Sequence, residues 1–199
     1  MSRKLYIGDW HYGHANVLAY DNRPFADIDD MNKQLCCMWK ENVRPDDIVY
    51  ILGDMFWCDA KYAIPVLEEL PGQKFLIKGN HDRIHKSGYE SQFVKITEYL
   101  EVEDEGNKII LCHYPIPCFK NHYRGYYHFY AHVHTSFEYQ MIERFRYEME
   151  TLYDRPCNMF NVGAMMPWMN YVPRTFNEIV SGYTRYEASK ELAYDKHEV

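Results

Sequence analysis

The sequence predicts an α/β fold built on a sheet with parallel members, and three observations carry that expectation. Five short runs of β-forming residues each end in Asp, Asn or His. Helical patterns separate several of these runs. Strand–helix–strand order is the mark of a parallel sheet, and in such sheets sites gather beyond the carboxyl ends of the strands. All five polar endings fall there.

The runs read KLYIGD at 4–9, IVYILGD at 48–54, KFLIKGN at 74–80, KIILCH at 108–113 and YYHFYAHVH at 126–134. In the first three a glycine precedes the polar residue and lets the backbone turn sharply. Residues 28–43 form a helical pattern with Ile28, Met31, Leu35 and Met38 on one face. A second apolar stripe covers 60–70 and stops at Pro71-Gly72. Segments 92–102 and 108–113 read as a hairpin around Asp104-Glu105-Gly106-Asn107. Residues 137–149 suit a helix with Phe137, Met141, Phe145 and Met149 spaced by four, read as core or subunit contact. Thr175 and Glu178 match a capping box at the start of a further helix. A single domain over 1–186 is expected, with a polar tail at 187–199.

Apolar residues make up 47% of the 199 and aromatics 17%, enough to build a core rather than a disordered chain. The net charge of −7, without a basic stripe, argues against long duplex nucleic acid. It leaves room for a small anionic substrate, because bound cations reverse the local field. Six cysteines without a CxxC pair suit reduced thiols. With no signal-peptide pattern and no stretch long enough to span a bilayer, a soluble cytoplasmic protein without a membrane partner is expected. Nothing in the sequence speaks to oligomeric state.

The polar endings form a metal-ligating set. Asp9 and His11 are two apart, as are His132 and His134, so along a strand each pair would share a face. Asp54, Asn80 and His113 stand singly. Two carboxylates, one carboxamide and four imidazoles suit manganese, iron, cobalt, nickel or zinc better than calcium or magnesium. Seven ligands suit two such ions if one carboxylate bridges, and Asp54 is the candidate bridge.

GDWHYGH at 8–14, GD at 53–54, GNHD at 79–82, His113 and AHVH at 131–134 resemble, in order, the five signatures of the calcineurin-like metallophosphoesterases. The stretch HYGHANVLAYDNRPF, and Asn161-Val162-Gly163 followed by Tyr171-Val172-Pro173, resemble the small bacterial and phage members. The resemblance implies a four-layer sandwich: two facing mixed β-sheets flanked by helices. It implies that Asp9, His11 and His134 hold one ion, Asn80, His113 and His132 the other, and that Asp54 bridges them. His81 would bind no metal and would face the substrate. Two sites depart from the family pattern: Ala131 stands where glycine is usual, and Gly8 where many members have serine.

The reaction so implied is hydrolysis of a small phosphate ester, monoester or diester, with nucleotides among the candidates. A hydroxide between the ions would attack phosphorus, and His81 would protonate the leaving oxygen. Manganese is the metal expected to support activity in assay. The rivals are a metal-binding interaction module without catalysis, and a nuclease or cyclic-nucleotide phosphodiesterase. His14 is expected beside the site, to orient a ligand or touch phosphate. Arg23 and Arg124 are candidate phosphate grips, against the plainer reading of solvated arginines. Asp82 could orient His81 or, preferably, cap a helix beginning at Arg83. Cys112 is expected to face the core, while His85, His122 and His128 carry no assigned role.

Overall fold

The computed structural model describes residues 2–82 and 88–194. The helix expected to begin at Arg83, His85 and the end of the polar tail lie outside the described residues. The described residues form two four-stranded sheets. The first holds β1 (Lys4–Ile7), β2 (Ile48–Ile51), β3 (Gln73–Ile77) and β4 (Lys95–Thr97), in that order. The second holds β5 (Tyr99–Asp104), β6 (Asn107–Cys112), β7 (Tyr127–Tyr130) and β8 (Asn158–Asn161). Helices flank them: α1 (Val17–Tyr20), α2 (Ile28–Asn42), α3 (Ala60–Glu69), α4 (Phe137–Thr151) and α5 (Phe176–Tyr194). No described helix is long and apolar enough to cross a membrane.

The first sheet is wholly parallel, so only the second is mixed, through the antiparallel β5–β6 pair. The expected 92–102 arm of the hairpin is divided. Residues 95–97 join β3, and only 99–104 pair with β6. The chain crosses from sheet to sheet at Glu98, which lies between β4 and β5.

Asp27 caps α2 by accepting the Asp30 amide at 2.8 Å. The helix buries Met31, Leu35 and Trp39, and Trp39 takes the inner place that the apolar spacing had given to Met38. At α5 the capping box is made, with the Glu178 carboxylate accepting the Thr175 amide at 2.8 Å. The four-residue stripe of α4 is divided: Phe145 and Met149 pack against the core, while Phe137 and Met141 are exposed. The helix buries Tyr139 and Arg146. Arg146 is tolerated there because its guanidinium donates to the Cys157 carbonyl and lies 4.5 Å from the centre of the Tyr183 ring.

The sheets meet through aromatic rings. Tyr6 of β1 stands edge-on to Phe129 of β7, and its hydroxyl donates to Asp104 at 2.9 Å. They are also stitched along an edge: the Gly8 amide donates to Val162 O and the Ala164 amide to Gly8 O, both at 2.8 Å. That seam extends β1 beside the end of β8. It brings the carboxyl ends of parallel strands from both sheets to one place.

Candidate metal centre

Each candidate ligand lies just past a strand. β1 ends at Ile7 before Asp9, β2 at Ile51 before Asp54, β3 at Ile77 before Asn80, β6 at Cys112 before His113, and β7 at Tyr130 before His132. The alternation expected of strand residues therefore does not operate at Asp9–His11 or His132–His134. These pairs converge for another reason. Asp9, His11, Asp54, His132 and His134 all have left-handed backbones, with φ of 48°, 53°, 51°, 69° and 47°. That conformation costs an L-residue about 1–2 kcal/mol, and such strain persists where the surroundings over-determine it.

The surroundings can be named. Arg23 is buried and donates to the carbonyls of Asp9 and Trp10, both at 2.9 Å, holding the first loop in shape. Asp82 accepts the amides of Asp54 at 2.9 Å, Gly79 at 2.8 Å and Met55 at 3.1 Å, tying the GD and GNHD loops together. The glycines of those loops touch: a β-carbon on Gly79 would collide with Asp54, and one on Gly53 with His113 and the Gly79 backbone. Asp9 accepts the His132 amide at 2.9 Å, which links the first sheet's site loop to the second's.

Among the described residues, two groups of donors lie within 4.8 Å of one another: Asp9, His11 and His134, and Asp9, Asp54 and His113. The Nε2 atoms of His11 and His134 are 3.2 Å apart. Asp9 is common to both groups, and Asp54 Oδ2 sits 4.0 Å from His11 Nε2 and 3.5 Å from His113 Nε2, within reach of one histidine of each. Asn80 Oδ1 lies 3.0 Å from His113 Nε2. His132 packs against His113 with ring centres 5.0 Å apart.

The tautomers are set from behind. His113 Nδ1 faces the Leu52 carbonyl at 2.7 Å, so it carries the proton and leaves Nε2 free as an electron donor. His134 Nδ1 faces Asp21 at 2.7 Å with the same consequence. Asp21 in turn accepts from Arg23 at 3.0 Å.

Electrostatics favour cations. Burial raises Asp54 and Asp82 above the usual carboxylate range and takes Asp9 up to about 7. Burial lowers His11 and His132 and takes His113 down to about 4, so these rings are neutral. His134 moves up: burial opposes its charge, but the Asp21 hydrogen bond and the Asp9 charge outweigh it. Asp9 Oδ1 is buried without a hydrogen-bond partner among the described residues. A lone pair so placed, beside the neutral rings of His11 and His113, fits a metal ion.

The site opens on a cavity of about 510 Å³ lined by His11, Asp54, Asn80, His81, His132 and His134, among others. His14 also lines it, stacked on Trp57 with centres 4.0 Å apart, its Nδ1 3.4 Å from that of His11. The His81 amide donates to Asp54 at 2.8 Å, and its ring lies 4.3 Å from that of Trp57.

Several expectations are corrected. Arg23 is a buried clamp of the site loop and Arg124 an exposed residue beside Tyr123; neither is among the residues lining the cavity. Asp82 is neither a mere helix cap nor a partner for His81 alone: it accepts from three site-loop amides. Cys112 is half-buried rather than in the core, and burial raises its thiol, which keeps it protonated. Asp21 and Trp57 were missed. The Asp21-Asn22-Arg23 spacing of an acid two residues from a base was the available signal for the first; nothing in the sequence marked the second.

The model of the calcineurin-like phosphoesterase family matches residues 3–154. An uncharacterized protein of Methanocaldococcus jannaschii is 36% identical over 144 residues, 70% of this chain and 76% of that protein. The gene 66 protein of Mycobacterium phage D29 is 39% identical over 88 residues, 43% of each chain. Among solved structures, a protein of unknown function from Aquifex aeolicus aligns with a TM-score of 0.68 at 23% identity, covering 91% of this chain and 99% of that one. At that identity the likeness is one of fold.

Proposed function

The chain belongs to the calcineurin-like phosphoesterase family, and on that premise we propose that it is a metal-dependent hydrolase of phosphate esters with a two-ion centre. The observation that carries the proposal is the unpartnered, buried oxygen of Asp9, a residue whose carboxylate gathers with four further donors, His11, His134, Asp54 and His113, from both sheets. Asp9, His11 and His134 would hold one ion, Asn80, His113 and His132 the second, with Asp54 shared. When bound, such ions supply an activated water at neutral pH and neutralise charge on the phosphoryl oxygens.

The chain's own residues divide the remaining work. Asp21 orients His134, and the Leu52 carbonyl orients His113, each through the ring nitrogen turned away from the centre. His14 holds the outer nitrogen of His11. His81 lines the cavity, has no part in the proposed ligand set, and would protonate the leaving oxygen. Manganese is the ion we expect to support turnover best. All seven proposed ligands and His81 are present, which favours an enzyme over an interaction module.

The test is turnover of aryl phosphate esters by protein of measured metal content. Wild-type protein should bind two equivalents of Mn²⁺ and hydrolyse at least one ester class. Asp54→Ala should lose both ions and all measurable turnover. Retention of two ions and full activity by that variant defeats the two-ion reading.

A further inference from the structure

A second hollow, of about 340 Å³, adjoins the metal-centre cavity. The two share His132, Val133 and Glu138. Beyond these shared residues the second hollow is walled by Tyr114, Pro115, Met141 and Ile142. Tyr114 is 45% exposed and Met141 55%, large apolar surfaces turned outward beside a polar site. The Tyr114 ring meets the His132 ring edge-on at 4.6 Å, so the hollow begins at a proposed ligand. His81 and Trp57 stand in the first cavity but not among the residues walling the second.

We infer that Tyr114, Pro115, Met141 and Ile142 form a specificity subsite for an aromatic arm of a phosphodiester, the arm that stays on phosphorus. The inference rests on the phosphoesterase reading above. A phosphate at the metal centre, with its leaving oxygen toward His81, directs its other ester substituent toward His132 and the adjoining hollow. The hollow is large enough for a six-membered ring, and its walls are the side chains that pack on rings. Glu138 borders both cavities, so its carboxylate opposes the second negative charge of a monoester and tolerates the single charge of a diester. In the reaction, water's oxygen forms a bond to phosphorus and the bond to the leaving arm breaks. One proton passes to the leaving oxygen, and the product is a monoester whose remaining arm occupies the hollow.

The test compares phenyl 4-nitrophenyl phosphate with methyl 4-nitrophenyl phosphate, which share a leaving group and differ in the retained arm. It uses the full chain loaded with Mn²⁺, and calorimetry of diphenylphosphinate, whose P–C bonds cannot be hydrolysed, reports binding without turnover. Wild type should favour the phenyl ester in kcat/KM by about tenfold, the scale of burying a few apolar carbons. Met141→Glu should bring the ratio near that of the uncatalysed reaction and weaken diphenylphosphinate binding about tenfold, and Met141→Leu should restore both. Metal content should stay at two ions throughout. An unchanged ratio in Met141→Glu, or faster turnover of 4-nitrophenyl phosphate than of either diester, overturns the inference while leaving the phosphoesterase reading intact. Failure to hydrolyse any of the three esters refutes that reading, and the subsite with it.

Discussion

At Gly8 a β-carbon would stand 2.5 Å from the Ala131 methyl. The two departures from the family pattern are therefore one feature: the methyl of Ala131 fills space that a side chain at position 8 would need. Gly8→Ser alone should lower stability by about 1–3 kcal/mol through overpacking. Adding Ala131→Gly should recover most of that loss, so urea unfolding of the four chains should show coupling of about 1 kcal/mol or more; simple additivity would mean that the positions do not share space. His81 differs in kind, because it lines the cavity without a place among the proposed ligands. His81→Ala should reduce kcat by about 10²–10⁴-fold while metal content stays at the wild-type level. Parallel loss of metal and activity would make His81 a ligand.

The elements work by where they stop. Strands β1, β2, β3, β6 and β7 each end one to three residues before a ligand, and after β1, β2 and β7 left-handed residues turn the side chains inward. β7 also carries a polar group into the core. His128 is fully buried, faces the Ile110 carbonyl through Nδ1, and accepts the Ile116 amide at Nε2, both at 3.0 Å. Burial takes it down to about 4. Its unfolded value is about 6.5, so between these values the unfolded chain holds a proton that the folded chain refuses. Stability from this group is thus fully present above about pH 6.5 and is lost as pH falls toward 4, by up to about 3 kcal/mol. Urea midpoints of metal-free protein should fall between pH 7 and pH 5, and His128→Gln should flatten that dependence. An equal fall in both proteins would assign the acid sensitivity to other groups.

Across the whole molecule, the proposed ligands come from both sheets: Asp9, His11, Asp54 and Asn80 from the first, His113, His132 and His134 from the second. Ions bound there join the sheets, so saturating Mn²⁺ should raise Tm. Protons compete for the same atoms. Asp9, taken up to about 7 by burial, holds a proton in the metal-free protein below that pH. Metal binding must expel it. The His134 ring, also moved up, must give up its proton as well, so apparent affinity should rise by about tenfold or more per pH unit between pH 5 and 7, as measured by competition with a chelating dye. Affinity independent of pH across that range would place the ions elsewhere.

The chemistry was legible in the sequence because it resides in residue identity. Asp9, Asp54, Asn80, His113 and the two histidines of AHVH could be read as strand-end donors from β-forming runs and the glycines beside them. The caps at Asp27 and Thr175 show how local that information can be. The fates of Arg23, Asp82 and the α4 stripe depended on partners distant in the chain: the Asp9 carbonyl, the Asp54 amide and the neighbouring cavity. Hydrogen bonds and packing between distant segments leave no local spacing to read. Which donors meet, which face of α4 stays exposed, and which backbones are forced left-handed were decided only when two sheets closed on one another.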